Sequence, residues 1–286
     1  MVQTITGGRL LDPALGLDCK GTLVVENGII KDISSSAPKT GAKSIPADGC
    51  LVVPGFIDLS CHLGQISPSA LSSLGQAALK GGFTGLTLLP DTSPPLTDSL
   101  RLTGLLALGQ QHCPVHLYPL GALSRDLEGK ELADLGSLAA AGAYGFSDGL
   151  AWPANSQLFL LALKYAGLFG RPLITHPEDP ALAAEGFIRE GPVATRLGLP
   201  AIPAAAEEIA VARDLLLAQT AAGKLHFCYL STAKAVSLLR QVQKRGLAVS
   251  GAVPMSHLIL TYDHIRDNNT SYKLAPPLGG TEDKEA

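Results

Sequence analysis

An apolar run in the first quarter of the chain ends in polar residues and reads Val53-Pro54-Gly55-Phe56-Ile57-Asp58-Leu59-Ser60-Cys61-His62-Leu63-Gly64. A Pro-Gly start, an apolar middle and a polar end are typical of a barrel strand that reaches a catalytic face. Residues two apart on a strand point to the same side, so two histidines at this spacing would hold one metal ion. Here Ser60 occupies the first position and His62 the second, so the pattern of a metal-binding His-x-His pair is incomplete.

Strand and helix patterns alternate from Leu51 onward. Apolar strand candidates lie at 51–59, 84–89, 113–120, 143–147, 171–176, 224–230 and 247–253. Helix signals separate them: Ser67-Pro68 offers an N-cap and an N1 proline, and further helices are predicted from Asn155, over 203–223 and over 232–246. This alternation with short connections predicts a parallel α/β sheet, as a TIM-type barrel or a doubly wound sheet.

Seven predicted strands are one short of a closed (β/α)₈ barrel. The last residues, 280–286, have the pattern of a helix start. Because an open barrel would expose two apolar strand edges, we expect the sequence to be truncated before strand 8.

Residues 1–50 have a different pattern. Two short β runs in 22–31 flank Asn27-Gly28, a hairpin signal, and proline, serine and glycine are dense over 34–49. We therefore predict two domains, a small β unit over 1–50 that ends in a linker and a barrel over 51–286.

Composition excludes several classes of function. The 286 residues are 46% hydrophobic and 16% charged, with a formal net charge of −3, which argues against nucleic-acid or membrane-surface partners. No run approaches the ~18 apolar residues that span a bilayer. The N-terminus lacks a signal-peptide pattern, and the five cysteines are scattered without a CxxC pair. We expect a soluble cytoplasmic protein with reduced thiols.

Polar side chains follow most of the predicted strands. In such a barrel they meet at one face, where two histidines and a carboxylate are typical of a metal hydrolase, although each histidine taken singly more often has a structural role. These residues are His62, Asp91, Asp148, His176, Tyr229 and His257.

Several motifs together resemble those of the dihydroorotases, in the cyclic amidohydrolase branch that also holds allantoinases and hydantoinases. They lie at 54–59 (PGFID before HxH), 81–92, 145–149, 176–179, 197–203 with Glu207, and 273–278. The resemblance implies a (β/α)₈ amidohydrolase barrel and an N-terminal β-sandwich piece. It also implies one or two zinc ions and the interconversion of carbamoyl aspartate and dihydroorotate in pyrimidine biosynthesis.

Much of the family's metal-binding set is missing at the matching positions. His62, Asp148 and His176 stand at residual ligand positions, whereas Ser60 and Tyr229 replace ligand histidines. Each ion of a two-metal site would lose one of three protein ligands, and catalytic zinc normally needs three. A serine hydroxyl stays protonated, and a tyrosine would fill space, so we expect the metal site to be empty or weak.

The substrate pocket is degenerate as well. Gly64 and Gly279 replace arginines, and Asp91 replaces an asparagine, which places an acid where an acidic substrate would lie. The family's general acid/base aspartate is expected beyond Ala286, so none of the residues present is assigned a catalytic role.

The cysteines offer a weak alternative for metal binding. Strand alternation turns Cys61 away from the ligand positions beside it, and Cys228 is expected to alternate with Tyr229 in the same way.

Two hypotheses follow from the resemblance. The first is a catalytically inactive dihydroorotase-like protein without a cofactor, which is oligomeric and serves as a structural partner of aspartate transcarbamoylase. The second is an active zinc-dependent cyclic amidohydrolase that uses a reduced metal site. Metal content and dihydroorotate turnover would distinguish them.

Overall fold

The computed structural model describes residues 2–34 and 43–286. Two compact units make up the chain, the first ending at Phe56 and the second spanning Ile57–Ala286. Residues 35–42 of the predicted linker lie outside the described residues.

The first unit contains two small β-sheets. Its strands are β1 (Val2–Thr6), β2 (Arg9–Asp12), β3 (Leu17–Lys20), β4 (Thr22–Glu26), β5 (Ile29–Ser34), β6 (Lys43–Pro46) and β7 (Leu51–Val52). One sheet has the order β5-β4-β1-β6 and the other the order β3-β2-β7. The predicted hairpin is confirmed: β4 and β5 pair antiparallel, and Asn27 and Gly28 between them have φ of 51° and 79°, as a type I′ turn requires.

The second unit is built on strands that follow one another in chain order. They are β8 (Phe56–Cys61), β9 (Phe83–Leu88), β10 (His116–Pro119), β11 (Gly121–Ala122), β12 (Phe146–Ser147), β13 (Leu173–Thr175), β16 (Leu225–Phe227) and β17 (Val249–Gly251). One sheet has the order β8-β9-β10, and a second, wholly parallel sheet has the order β11-β12-β13-β16-β17. A parallel pair, β14 (Ile188–Arg189) and β15 (Ala201–Ile202), lies between β13 and β16. This order is that of a TIM-type (β/α)₈ barrel.

Each of the seven predicted strand regions contains a strand, but the first is divided. Leu51–Val52 pairs with β2 in the first unit, and β8 begins only after Pro54-Gly55. Proline lacks the N–H that a ladder requires, so the run cannot continue as one strand.

Helices cover the connections between the barrel strands. They are α1 (Pro68–Lys80), α2 (Ser99–His112), α3 (Leu135–Ala140), α4 (Ser156–Leu168), α5 (Pro180–Ala183), α6 (Pro192–Leu197), α7 (Ala205–Ala221), α8 (Ala233–Gln243) and α9 (Thr281–Glu285). The predicted N-cap of α1 is confirmed, since the Ser67 hydroxyl accepts from the Ala70 N–H over 3.2 Å. In the described part of the chain, none of the helices has the length and apolar character needed to cross a membrane.

The main core fills the space between the parallel sheet and its helices. Phe146, Phe159 and Phe227 are fully buried there, together with Leu158 and Ala162 of α4. Burial of a large apolar side chain stabilises the fold by about 1.5–3 kcal/mol. This packing fixes the carboxyl ends of β12, β13 and β16, where the candidate site residues follow.

Candidate active site

Two of the predicted ligand positions are joined by hydrogen bonds. Ser60 lies near the end of β8, and its Oγ is 2.8 Å from the Sγ of Cys228. The Tyr229 hydroxyl donates to the backbone carbonyl of Ser60 over 2.9 Å. The carboxyl end of the first barrel strand is therefore tied to the segment that follows β16. We call these three residues the Ser60–Tyr229 tie.

The prediction that Cys228 alternates with Tyr229 is wrong. It assumed that an extended strand continues through both residues, but β16 ends at Phe227. Tyr229 has a left-handed backbone with φ of 60°, which is unusual for a bulky residue and breaks the two-residue period. Both side chains therefore reach Ser60.

Burial keeps the groups around Ser60 neutral. It raises the pKa of the Cys228 thiol to about 11 and the pKa of the Cys61 thiol to about 11. It also raises the pKa of the Tyr229 phenol. Both thiols are therefore protonated at neutral pH, whereas the thiolate is the form that binds metals. Cys61 packs against the apolar cluster around Leu71, as strand alternation predicts.

His62 and Asp91 pair with each other at the mouth of the barrel. The Nδ1 of His62 lies 2.5 Å from the Oδ2 of Asp91, with the side chains 45% and 28% exposed. The Oδ1 of Asp91 is buried and has no partner among the described residues. The acid at position 91 thus occupies one ring nitrogen of the residual ligand His62.

Asp148 follows β12 and binds the loop after β11. Its Oδ1 accepts from the backbone N–H groups of Leu123 (3.0 Å) and Ser124 (2.8 Å), and its Oδ2 accepts from the Ser124 hydroxyl (2.5 Å). The residue is 4% exposed. Burial raises the pKa of Asp148, and the hydrogen bonds from Ser124 act against that increase. Both carboxylate oxygens of Asp148 therefore hold the loop at residues 123–124 in place.

His176 follows β13 and is equally buried. Its Nδ1 has no partner among the described residues, and its ring meets the ring of Tyr229 edge-on, with the centroids 5.9 Å apart. Burial lowers the pKa of His176 to about 4. The imidazole is therefore neutral at pH 7, the form in which histidine binds metals.

These residues do not fit a zinc centre in the arrangement they adopt. Asp91 holds Nδ1 of His62, which leaves Nε2 as its one nitrogen for an ion, and the 123–124 loop donates hydrogen bonds to both oxygens of Asp148. The described residues include no group of three or more His, Cys, Asp or Glu side chains placed to hold a metal ion. Of the three residual ligands, His176 keeps a buried ring nitrogen without a partner.

The local structure favours glycine at both Gly64 and Gly279 of the predicted substrate pocket. Gly64 has φ of 71°, a backbone conformation in which an arginine would be strained. A Cβ on Gly279 would lie 2.4 Å from Oδ2 of Asp283. That carboxylate accepts from the N–H of Gly280 and, through Oδ1, from the N–H of Ala233 at the start of α8, each over 2.9 Å. The side chain of Asp283 thus occupies the space beside Gly279.

A buried polar network beneath the mouth is not predicted from the sequence. The Glu207 carboxylate accepts from the N–H and hydroxyl of both Ser231 and Thr232. Arg189 donates from Nη2 to the Ser231 hydroxyl over 2.6 Å. His257 lies at the same end of the barrel, with Nε2 3.3 Å from the Pro277 carbonyl. Glu207 belongs to a family-like segment, but nothing in the sequence pairs it with a loop 24 residues away.

A second buried group holds the loop after Asp148. The Trp152 indole donates to Asp214 over 3.1 Å, and Arg213 contacts Asp214 at 2.5 Å while its guanidinium carbon lies 3.7 Å from the centroid of the Trp152 ring. Burial raises the pKa of Asp214 to about 6, and the charge of Arg213 opposes that shift.

Comparisons with known proteins identify the family. A family model described as dihydro-orotase-like matches residues 49–235. The dihydroorotase of Anaeromyxobacter sp. (strain K) is 39% identical over 292 residues, and that of Syntrophus aciditrophicus (strain SB) is 39% identical over 293. These alignments cover 100% and 99% of this chain and 67% of each relative. The chain therefore spans about two thirds of the length of the curated relatives it matches.

Solved structures support the fold. The L-hydantoinase (dihydropyrimidinase) of Arthrobacter aurescens superimposes with a TM-score of 0.82 at 22% identity, over 99% of this chain and 65% of that one. A D-hydantoinase superimposes with a TM-score of 0.73 at 20% identity, over 100% of this chain and 65% of that one. The predicted TIM-type amidohydrolase fold is thereby confirmed, and the chain belongs to the dihydroorotase-like family of cyclic amidohydrolases.

Proposed function

We propose that the chain is a dihydroorotase-like protein of pyrimidine biosynthesis that has no dihydroorotase activity and serves as a structural partner of aspartate transcarbamoylase. The observation that carries the loss of activity is the Ser60–Tyr229 tie. At the two positions where the family resemblance expects ligand histidines, the side chains form hydrogen bonds with protein atoms instead.

The remaining site residues support the same proposal. Asp148 anchors the neighbouring loop through both oxygens, and His62 is paired with Asp91. Asp91 also places a negative charge where an acidic substrate would have to bind, which disfavours such a substrate. Because Gly64 and Gly279 have no side chain, they cannot supply the charge-assisted hydrogen bonds that a substrate carboxylate needs.

The proposed role as a structural partner rests on the resemblance to the family and on the family's fold, which this chain keeps. The barrel strands and turns of the family are present, so the fold that would present a docking surface is kept. We propose that the protein is oligomeric and cytoplasmic, and its five unpaired cysteines are consistent with a reducing compartment. Analytical ultracentrifugation of the complete protein with aspartate transcarbamoylase tests the partnership. The proposal predicts a co-sedimenting complex, and separate sedimentation at micromolar concentrations would contradict it.

Turnover of dihydroorotate and carbamoyl aspartate by the complete protein tests the loss of activity. We expect no turnover above the uncatalysed rate, with or without added zinc. Turnover that increases with zinc and saturates with substrate would overturn the proposal.

An active enzyme with a single metal held by His62, Asp148 and His176 is the alternative. One observation favours it: Nδ1 of His176 is buried without a partner among the described residues, as expected of a metal ligand that lacks its ion. Such an enzyme would act on a substrate other than dihydroorotate. Replacing His176 with Ala should then abolish both metal binding and amidohydrolase activity, whereas the exposed His116→Ala variant should retain them. Equal zinc content in the two variants would exclude the alternative.

A further inference from the structure

Arg189 is a buried cation that has no counter-ion in the described part of the chain. Its residue is 5% exposed. It lies in β14, and its Nη2 donates to the Ser231 hydroxyl over 2.6 Å. Its Nε is buried and finds no acceptor among the described residues. The guanidinium of arginine stays charged in proteins, so this site holds a full positive charge with an unused donor at Nε.

The nearby acids do not neutralise that charge directly. Among the described residues, none of the ion pairs includes Arg189. Glu207 is committed to the N–H and hydroxyl groups of residues 231 and 232. Glu178 is close enough for the charge of Arg189 to lower its pKa, although burial, the larger effect, raises it.

The location of Arg189 is that of a ligand site rather than of a surface charge. Glu178 follows β13, Ser231 follows β16 and His257 follows β17, so the neighbours of Arg189 come from the carboxyl ends of three successive barrel strands. The charge of Arg189 contributes to lowering the pKa of His257, after the larger effect of burial. Ligands of TIM-type barrels bind at this end.

Physical chemistry favours an anion here. A buried charge without a partner is strongly destabilising, and a buried donor left unsatisfied adds to that cost. The planar fork of a guanidinium matches the two oxygens of a carboxylate, which accept parallel hydrogen bonds from it.

We propose that Arg189, oriented by the Ser231 hydroxyl, forms a binding site for the carboxylate group of a small organic acid at the carboxyl end of the barrel. The guanidinium supplies the charge and the unused Nε donor, and Ser231 fixes its orientation. This site does not depend on metal binding or on turnover, so it stands apart from the function proposed above.

Isothermal titration calorimetry of the complete protein with sodium succinate tests the site. Wild type should show saturable binding to one site, and Arg189→Met should weaken the affinity at least about tenfold, as loss of a charge-assisted pair implies. The control is Arg245→Gln, which removes the same charge from an exposed residue and should leave the affinity unchanged. Glu178→Gln should tighten binding, because it removes an acid whose charge opposes that of the ligand.

Three results would overturn the proposal. The first is no saturable binding of succinate to folded wild type. The second is equal affinity for succinate in wild type and Arg189→Met. If Arg189→Met does not fold, the deciding result is instead that Glu178→Gln binds succinate no more tightly than wild type. The third is binding of inorganic phosphate without binding of succinate, which would mean that the site selects a tetrahedral anion rather than a carboxylate.

Discussion

The hydroxyl of Tyr229 should stabilise the barrel measurably. In the Tyr229→Phe variant the ring stays and still meets His176, but the donor to the Ser60 carbonyl is lost. A neutral hydrogen bond of this kind contributes about 1 kcal/mol net. For a unit the size of Ile57–Ala286, that free energy corresponds to a fall in Tm of roughly 2–4 °C.

Differential scanning calorimetry at pH 7 is the direct assay, with Tyr165→Phe as the matched control. Tyr165 lies in α4 and is 46% exposed, so the control should leave Tm unchanged. An equal Tm for wild type and Tyr229→Phe would refute the view that the tie contributes to stability. A higher Tm in Tyr229→Phe would mean that the hydroxyl of Tyr229 destabilises the fold on balance.

Three further perturbations probe the packing around the site. Gly279→Ala forces a Cβ against Asp283 and should weaken its hydrogen bond at the start of α8, lowering the free energy of unfolding in urea by about 1 kcal/mol. Glu207→Ala leaves the buried N–H and hydroxyl of Ser231 without their acceptor and should cost about 2–4 kcal/mol in the same assay. Asp214 has its folded-state pKa raised to about 6 from 3.8, so the folded state binds more protons between these values and stability falls as pH rises through them. Between pH 4 and pH 7, the free energy of unfolding in urea should therefore fall in wild type relative to Asp214→Asn, by on the order of 3 kcal/mol at most. If the difference between wild type and Asp214→Asn were the same at both pH values, the pKa shift would be contradicted.

Local signals in the sequence predict much of the fold. Ser67-Pro68 and Asn155 begin helices as their capping chemistry requires, and Asn27-Gly28 forms the predicted turn. The apolar runs predict the strands because a strand of a parallel sheet is buried on both faces and is therefore continuously apolar. Helix α2 begins after an Asp98 N-cap that accepts from the Arg101 N–H over 2.9 Å, but Gly104 and Gly109 inside it lower its helix propensity and weaken the sequence pattern.

The site is less predictable, for two physical reasons. The contact of Cys228 with Ser60 depends on the left-handed backbone of Tyr229, and tyrosine carries no propensity for that conformation. The contacts of Ser231 with Glu207 and Arg189 join segments 24 and 42 residues apart. Which polar residues meet across a barrel follows from tertiary packing rather than from local spacing. The sequence predicts which residues reach the mouth, and the structure determines their partners.

We propose that the ligand positions of this barrel are occupied by contacts within the protein rather than prepared for zinc. Metal analysis of the complete protein, after equilibration with excess zinc and removal of unbound ion, tests this most directly. We expect far less than one equivalent of bound zinc in wild type, with no change in Ser60→Ala. One or two equivalents retained by wild type, and lost when His176 is replaced with Ala, would contradict it.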